Sequence, residues 1–167
     1  MKKKLVGATA LLTGLAVLVI AAAALATPSS NFTTVQIAKG LFGEIDLKMN
    51  DPALNHQLHF KTKGDSDIYI VENTVQPGGQ SGWHYHPGPS LITVKSGTAT
   101  FYDGDDPTCT GEDFATGSGV VDDAVDPSHV HLLRNNGAVP LVTVSFQIVP
   151  AGSPRRVDAP DPGNCPS

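Results

Sequence analysis

The stretch Gly78-Gly79-Gln80-Ser81-Gly82-Trp83-His84-Tyr85-His86-Pro87-Gly88-Pro89-Ser90, running on to Gly97, decides how the rest of the chain is read. Glycine and proline punctuate it too densely for a helix, so the segment is extended between turns. On an extended strand, residues two apart project from one face. His84 and His86 therefore aim at one point, while Trp83 and Tyr85 turn to the other side and read as packing. A single His-x-His is weak evidence for a metal, because a surface pair gives the same pattern. A second pair, His129 and His131, changes the balance. Imidazole is a common ligand for zinc, iron, copper and nickel. The remaining histidines, His56 and His59, fall on opposite faces of an extended segment and read as surface or packing residues.

Working outward, no apolar stripe of helical period follows residue 32. Short alternating runs separated by Gly, Pro, Asn and Asp predict strands over 33–38, 57–62, 68–75, 82–86, 91–95, 98–102, 119–122, 130–134 and 141–149. Turns are expected at Pro77-Gly78-Gly79, Pro87-Gly88-Pro89, Ser96-Gly97, Asp103-Gly104-Asp105 and Asn135-Asn136-Gly137. Many short strands in one small unit imply a sandwich or a jelly-roll barrel. Ile92 and Val94, in phase with Ser90, are expected to line its interior together with apolar residues of the last strand. The acidic pairs Asp105-Asp106 and Asp122-Asp123 read as solvated turns.

The ends of the chain carry different information. Lys2, Lys3 and Lys4 precede an uncharged apolar run from Leu5 to Leu25, and Ala24-Leu25-Ala26 is a small-x-small site. That is the layout of a secretory signal peptide over residues 1–26, with an uncleaved membrane anchor as the rival reading. Cleavage would leave a protein outside the cytoplasm with no membrane segment. Without the three lysines, 8 basic residues face 16 acidic ones, a net charge of −8. Such a balance excludes a nucleic-acid partner, since nothing basic clusters to neutralise phosphates. Residues 27–32 read as a short linker, 33–150 as one barrel and 151–167 as a Pro-rich tail. The only cysteines are Cys109 and Cys165. An even count in an oxidising compartment suggests a disulfide, which would tie the tail to the body.

The stretch quoted first resembles the first motif of the cupin superfamily, a glycine, five residues, His-x-His, a spacer, Glu, six residues and a glycine. Gly78, His84, His86 and Gly97 fall on its fixed positions. Asp126-Pro127-Ser128-His129-Val130-His131-Leu132-Leu133-Arg134-Asn135 is similar to the second motif at His131 and Asn135, with the proline displaced by one and Ser128 where glycine is usual. In detail the chain resembles small secreted bacterial single-domain (type 2) cupins of unassigned activity. The resemblance implies an all-β fold, a single double-stranded β-helix (jelly-roll) barrel. It also implies a divalent transition metal (Fe, Mn, Zn, Cu or Ni) held by His84, His86 and His131. Ser90 occupies the slot of the motif's Glu, and a serine hydroxyl is a poor ligand. His129 and Glu72 are the two candidates for a fourth ligand.

Three neutral imidazoles leave a divalent ion its full charge and open positions, the arrangement a catalytic metal needs. Two functions stay open on these residues. One is a metal centre that binds a small molecule, with anions among the candidates, and carries out non-haem oxygenase-type chemistry. The other is a binding module for a sugar or similar ligand, or a barrel that metal merely stabilises. Homodimerisation is compatible with either. No Gly-rich phosphate cradle, nucleophile elbow or His-Glu-x-x-His pattern is present to suggest other chemistry.

Overall fold

The computed structural model describes residues 25–123 and 125–165, so nearly all of the expected signal segment over residues 1–26 lies outside the described residues. The described residues contain strands and no helix: β1 (Ser30–Phe42), β2 (Asp46–Asp51), β3 (His56–Lys61), β4 (Ser66–Gln80), β5 (His84–Tyr85), β6 (Ser90–Ser96), β7 (Thr98–Asp103), β8 (Glu112–Ala115), β9 (Gly119–Asp122), β10 (His131–Arg134), β11 (Leu141–Pro150) and β12 (Val157–Asp158). Each expected strand coincides with one of these. The unexpected ones are β2, which is polar, and β8 and β12, which are too short to show alternation. Pro77-Gly78-Gly79 is not a free turn but lies inside β4. The chain kinks there with Gly78 at φ 74°, and the ladder to β1 jumps from Phe32↔Val75 to Ser30↔Gln80.

Two antiparallel layers wrap around one interior. The first runs β1-β4-β11-β6-β9 and the second β12-β5-β10-β7-β8. They join where the end of β4 meets β10, at the pair Gln80↔Arg134. This is an all-β jelly-roll barrel. Between β6 and β7 the tight reversal is carried by Gly97 at φ 81°, a left-handed conformation that a side chain would resist.

The interior is layered. At one end Val75, Val94, Ala99, Leu133 and Leu141 form an apolar plug. Toward the other end of β4 and β11, Tyr69, Val71 and Val149 form a second cluster. Burial of each such aliphatic side chain contributes about 1.5–3 kcal/mol. Between these clusters the inward positions of β11 are Thr143, Ser145 and Gln147, all buried. Of the last strand's apolar residues Leu141 and Val149 face inward as buried core, while Val142, Val144, Phe146 and Ile148 face outward and are half-buried. This polar middle layer finds partners within the barrel: Asn73 Nδ2 donates to Thr143 Oγ1 at 3.4 Å, and Gln147 Nε2 donates to Ser90 Oγ at 3.2 Å.

The tail closes the barrel's flank. Val157 and Asp158 pair with Tyr85 and His84, and Ala159 N–H donates to the Trp83 carbonyl at 2.9 Å. Trp83, Val130, Leu132 and Ala159 pack beneath it, so Trp83 serves packing as expected. The predicted Cys109–Cys165 disulfide is formed. The β2–β3 hairpin forms a separate two-stranded sheet.

Candidate metal centre

His84 opens β5, His86 follows it directly and His131 opens β10, where its Cα is the ladder partner of His84. The alternation of β5 and this pairing bring the three imidazoles together. Ring centroids lie 4.9 Å apart for His84 and His86, 4.2 Å for His84 and His131, and 5.4 Å for His86 and His131. One ring nitrogen from each residue lies within 4.8 Å of the others. All three residues are buried.

The backbone fixes how two of the rings present themselves. His84 Nδ1 donates to the Gly82 carbonyl at 2.8 Å, and His86 Nδ1 donates to the Arg155 carbonyl at 2.8 Å. A carbonyl can only accept, so each Nδ1 carries the proton and each Nε2 keeps a bare lone pair. This is the outer support that metal-binding histidines use. Burial, helped by the like charges of His131, Arg156 and His86, holds His84 well below the ordinary histidine range. Burial does the same to His131, with His86, Arg156 and His129 adding to it. Burial pushes His86 down to about 4, against the opposing hydrogen bond to the Arg155 carbonyl. Three neutral imidazoles at neutral pH are the donor set a borderline transition metal takes. The residues present therefore fit such an ion.

The other candidates lie elsewhere or play other parts. Glu72 sits on the outer face of β4, where its carboxylate accepts from Lys95 Nζ at 2.7 Å, and it does not approach the histidines. His129 fails for a local reason. The chain from Asp126 to His129 is a turn closed by the His129 N–H on the Asp126 carbonyl at 3.1 Å, so strand alternation begins only after it. Its ring lines a neighbouring cavity instead. Ser90, fully buried, accepts from Gln147 Nε2 at 3.2 Å, and Gln147 in turn accepts from Arg155 Nη1 at 3.1 Å.

Sequence reasoning missed three residues, Asp122 foremost. Asp122 was expected in a solvated turn, yet it ends β9, is 7 % exposed and faces the histidines. Its Oδ2 lies 3.3 Å from His86 Nε2 and its Oδ1 3.4 Å from His131 Nδ1. Finding it required the β6–β9 register, which no local pattern encodes. Arg155 and Arg156, which line the same space, come from the tail and were equally invisible.

Two cavities meet at His131. The inner one, bounded by the three histidines with Ile92, Ser145 and Gln147, leaves about 30 Å³, the scale of an ion with a water. The outer one, about 380 Å³, is within the range of small-molecule sites. Its walls carry Asp103, Glu112, Asp122 and Asp123, with Phe101 and Phe114 edge-to-face at 5.6 Å. Burial, followed by the charge of Asp105, raises Asp103 above the ordinary carboxylate range.

The sequence matches the family described as "Cupin domain" over residues 71–147, a span that holds His84, His86, His131 and Asn135. The barrel is a cupin domain. No curated protein matches the chain significantly. Among solved structures, an uncharacterized conserved protein with a double-stranded β-helix domain from Klebsiella pneumoniae is 22% identical, with 70% of this chain and 84% of that one covered and a TM-score of 0.43. The cupin domain of an XRE family transcriptional regulator from Enterobacter cloacae is 16% identical, covering 75% of this chain and all of that one, with a TM-score of 0.44. An oxalate decarboxylase from Lactobacillus farciminis is 20% identical over 55% of this chain and 26% of that one, with a TM-score of 0.45.

Proposed function

We propose that this cupin is an extracytoplasmic metal protein whose three-His centre holds or transforms a small molecule admitted through the outer cavity. The observation that carries the reading is the convergence of three buried, neutral imidazoles, two with their metal-facing nitrogens set by backbone carbonyls, beside a cavity of ligand size. The Cys109–Cys165 disulfide supports a compartment outside the cytoplasm. When bound, the metal would polarise an oxygen of the ligand or bind dioxygen. His84, His86 and His131 would hold it, and the outer cavity would orient the ligand.

The charge of a divalent ion alone favours an anion. The four carboxylates of the outer cavity oppose that, and they suit hydroxyl or amine donors stacked on Phe101 and Phe114. A neutral polyol or sugar is therefore the first ligand class to try, and small carboxylates the second. Elemental analysis of the purified protein should find close to one transition metal per chain, lost in His84→Ala/His131→Ala. Absence of metal binding in competition assays would sink the reading. Oxygen uptake with a panel of diketones, flavonols, thiols and hydroxy acids separates catalysis from capture.

A homodimer belongs to the same proposal. An isolated two-stranded sheet is marginal in water, yet β2–β3 exposes Leu47, Met49 and Leu58, and the adjoining β1 exposes Val35, Ile37 and Leu41. A second copy of the chain would cover these side chains. Light scattering on the eluting protein measures it, and a monomer at micromolar concentration would count against the dimer.

A further inference from the structure

We infer that Asp122 is the anionic metal ligand of this centre, replacing from the neighbouring strand the acid that the His-x-His motif carries at position 90. The inference rests on the reading of the three-His group as a metal site. Its first support is register. Ser90 and Asp122 are direct partners in the β6–β9 ladder, so their side chains leave the sheet on one face with their Cβ atoms close together. Both point inward and are buried. A carboxylate on residue 122 leaves the sheet directly beside the position from which one on residue 90 would leave it. Ser90 is short enough to leave that space open, and its hydroxyl is taken up by Gln147.

The second support is the chemistry of the contacts. His86 spends its Nδ1 proton on the Arg155 carbonyl, so the Nε2 facing Asp122 is an acceptor. A lone pair and a carboxylate oxygen 3.3 Å apart make no hydrogen bond to each other, and a cation beside them would be bound by both. Two ligands each about 2.1 Å from one ion stand roughly 3.0–3.4 Å apart for angles between about 90° and 110°. The observed 3.3 Å falls within that interval, and it is longer than an ordinary N–H···O bond. Asp122 Oδ1 lies 3.4 Å from His131 Nδ1 without hydrogen-bond geometry, so the one carboxylate stands against two of the three rings.

The third support is charge. Three neutral imidazoles leave a buried divalent ion uncompensated, which is costly in a site this enclosed. One carboxylate halves the residual charge. Asp122 lines the outer cavity together with His131, so a ligand approaching from that side meets the carboxylate beside that histidine.

The test uses Co²⁺ as probe, with its visible absorption and its dissociation constant by chelator competition as readouts. The wild-type protein should bind one Co²⁺ per chain. Asp122→Asn should keep the three imidazoles, bind at least about tenfold more weakly and show a changed visible band. The double variant Ser90→Glu/Asp122→Ser should return most of the affinity, since it moves the carboxylate back across the ladder. Should Asp122→Asn fail to fold, the infrared difference between metal-loaded and metal-free wild type decides: carboxylate bands must shift on loading. An Asp122→Asn protein with wild-type affinity and spectrum overturns the assignment and leaves the three-His centre standing, as does a wild-type infrared difference lacking carboxylate bands. A wild type that binds no Co²⁺ overturns both.

Discussion

Replacing Asn135 by alanine is expected to cost the barrel about 3 kcal/mol. The residue is fully buried at the end of β10. Its amide donates to the Val75 carbonyl at 2.8 Å and the Val139 carbonyl at 2.9 Å, and its Oδ1 accepts the Gly137 N–H at 3.0 Å. The three bonds are not equal. Val75 is sealed in the apolar plug, so its carbonyl would be left without water, a loss of about 1–3 kcal/mol. Val139 and Gly137 lie in an exposed turn where water substitutes, which limits each loss to roughly 0.5–1 kcal/mol. The sum is a large share of a typical stability of about 5–15 kcal/mol. Urea unfolding followed by the fluorescence of Trp83, the only tryptophan, measures it. With a slope of about 1–3 kcal/mol per molar urea, the midpoint should fall by more than about 1 M. Asn136→Ala removes only an exposed bond to Tyr102 and should stay within about 0.5 kcal/mol. A loss below about 1 kcal/mol in Asn135→Ala would show that Val75 is resatisfied and refute the reasoning.

Three further outcomes follow from the site and its surroundings. In the metal-free protein His86 titrates near 4 when folded and near 6.5 when unfolded, so the unfolded chain takes up a proton that the folded one refuses. Stability should therefore hold above pH 6.5 and fall toward pH 4 by about 3 kcal/mol from this residue, with His84 and His131 acting in the same direction; equal urea midpoints at pH 7.5 and 4.5 would contradict this. Cys109→Ser/Cys165→Ser opens a link between residues 56 apart, with a loss of up to about 4 kcal/mol in the chain-entropy picture. Metal affinity, read by chelator competition, should weaken with it, because the freed tail carries the carbonyl that sets His86; an unchanged dissociation constant would break that link. Glu72→Ala removes only a surface pair with Lys95 and should change stability by less than about 1 kcal/mol and metal content not at all, which elemental analysis checks.

What could be read from the sequence was whatever a single strand or turn encodes. His84 and His86 announce themselves because two residues make one repeat of a strand, and His131 stands at the start of β10 with Asn135 fixed at its end. His129 misled because alternation was carried back into a turn. Asp122 and Arg155 stayed hidden because their roles depend on which strand lies beside which. The polar inward positions of β11 went unread: hydrophobic patterning assumes an oily interior, and this barrel keeps Thr143, Ser145 and Gln147 within. Where a barrel builds a polar network in its interior, polarity ceases to mark the outside.

The tail has a consequence for the order in which the protein is completed. Residues 151–165 are synthesised after every strand of the barrel proper, yet the Arg155 carbonyl orients His86 and β12 lies against the backbone of His84. A nascent barrel lacking this stretch holds all three histidines with one ring unaligned. On the proposed reading, metal capture would wait until residues 151–165 are made and Cys165 has reached Cys109. A step that needs oxidising surroundings would then stand next to the step that takes up metal.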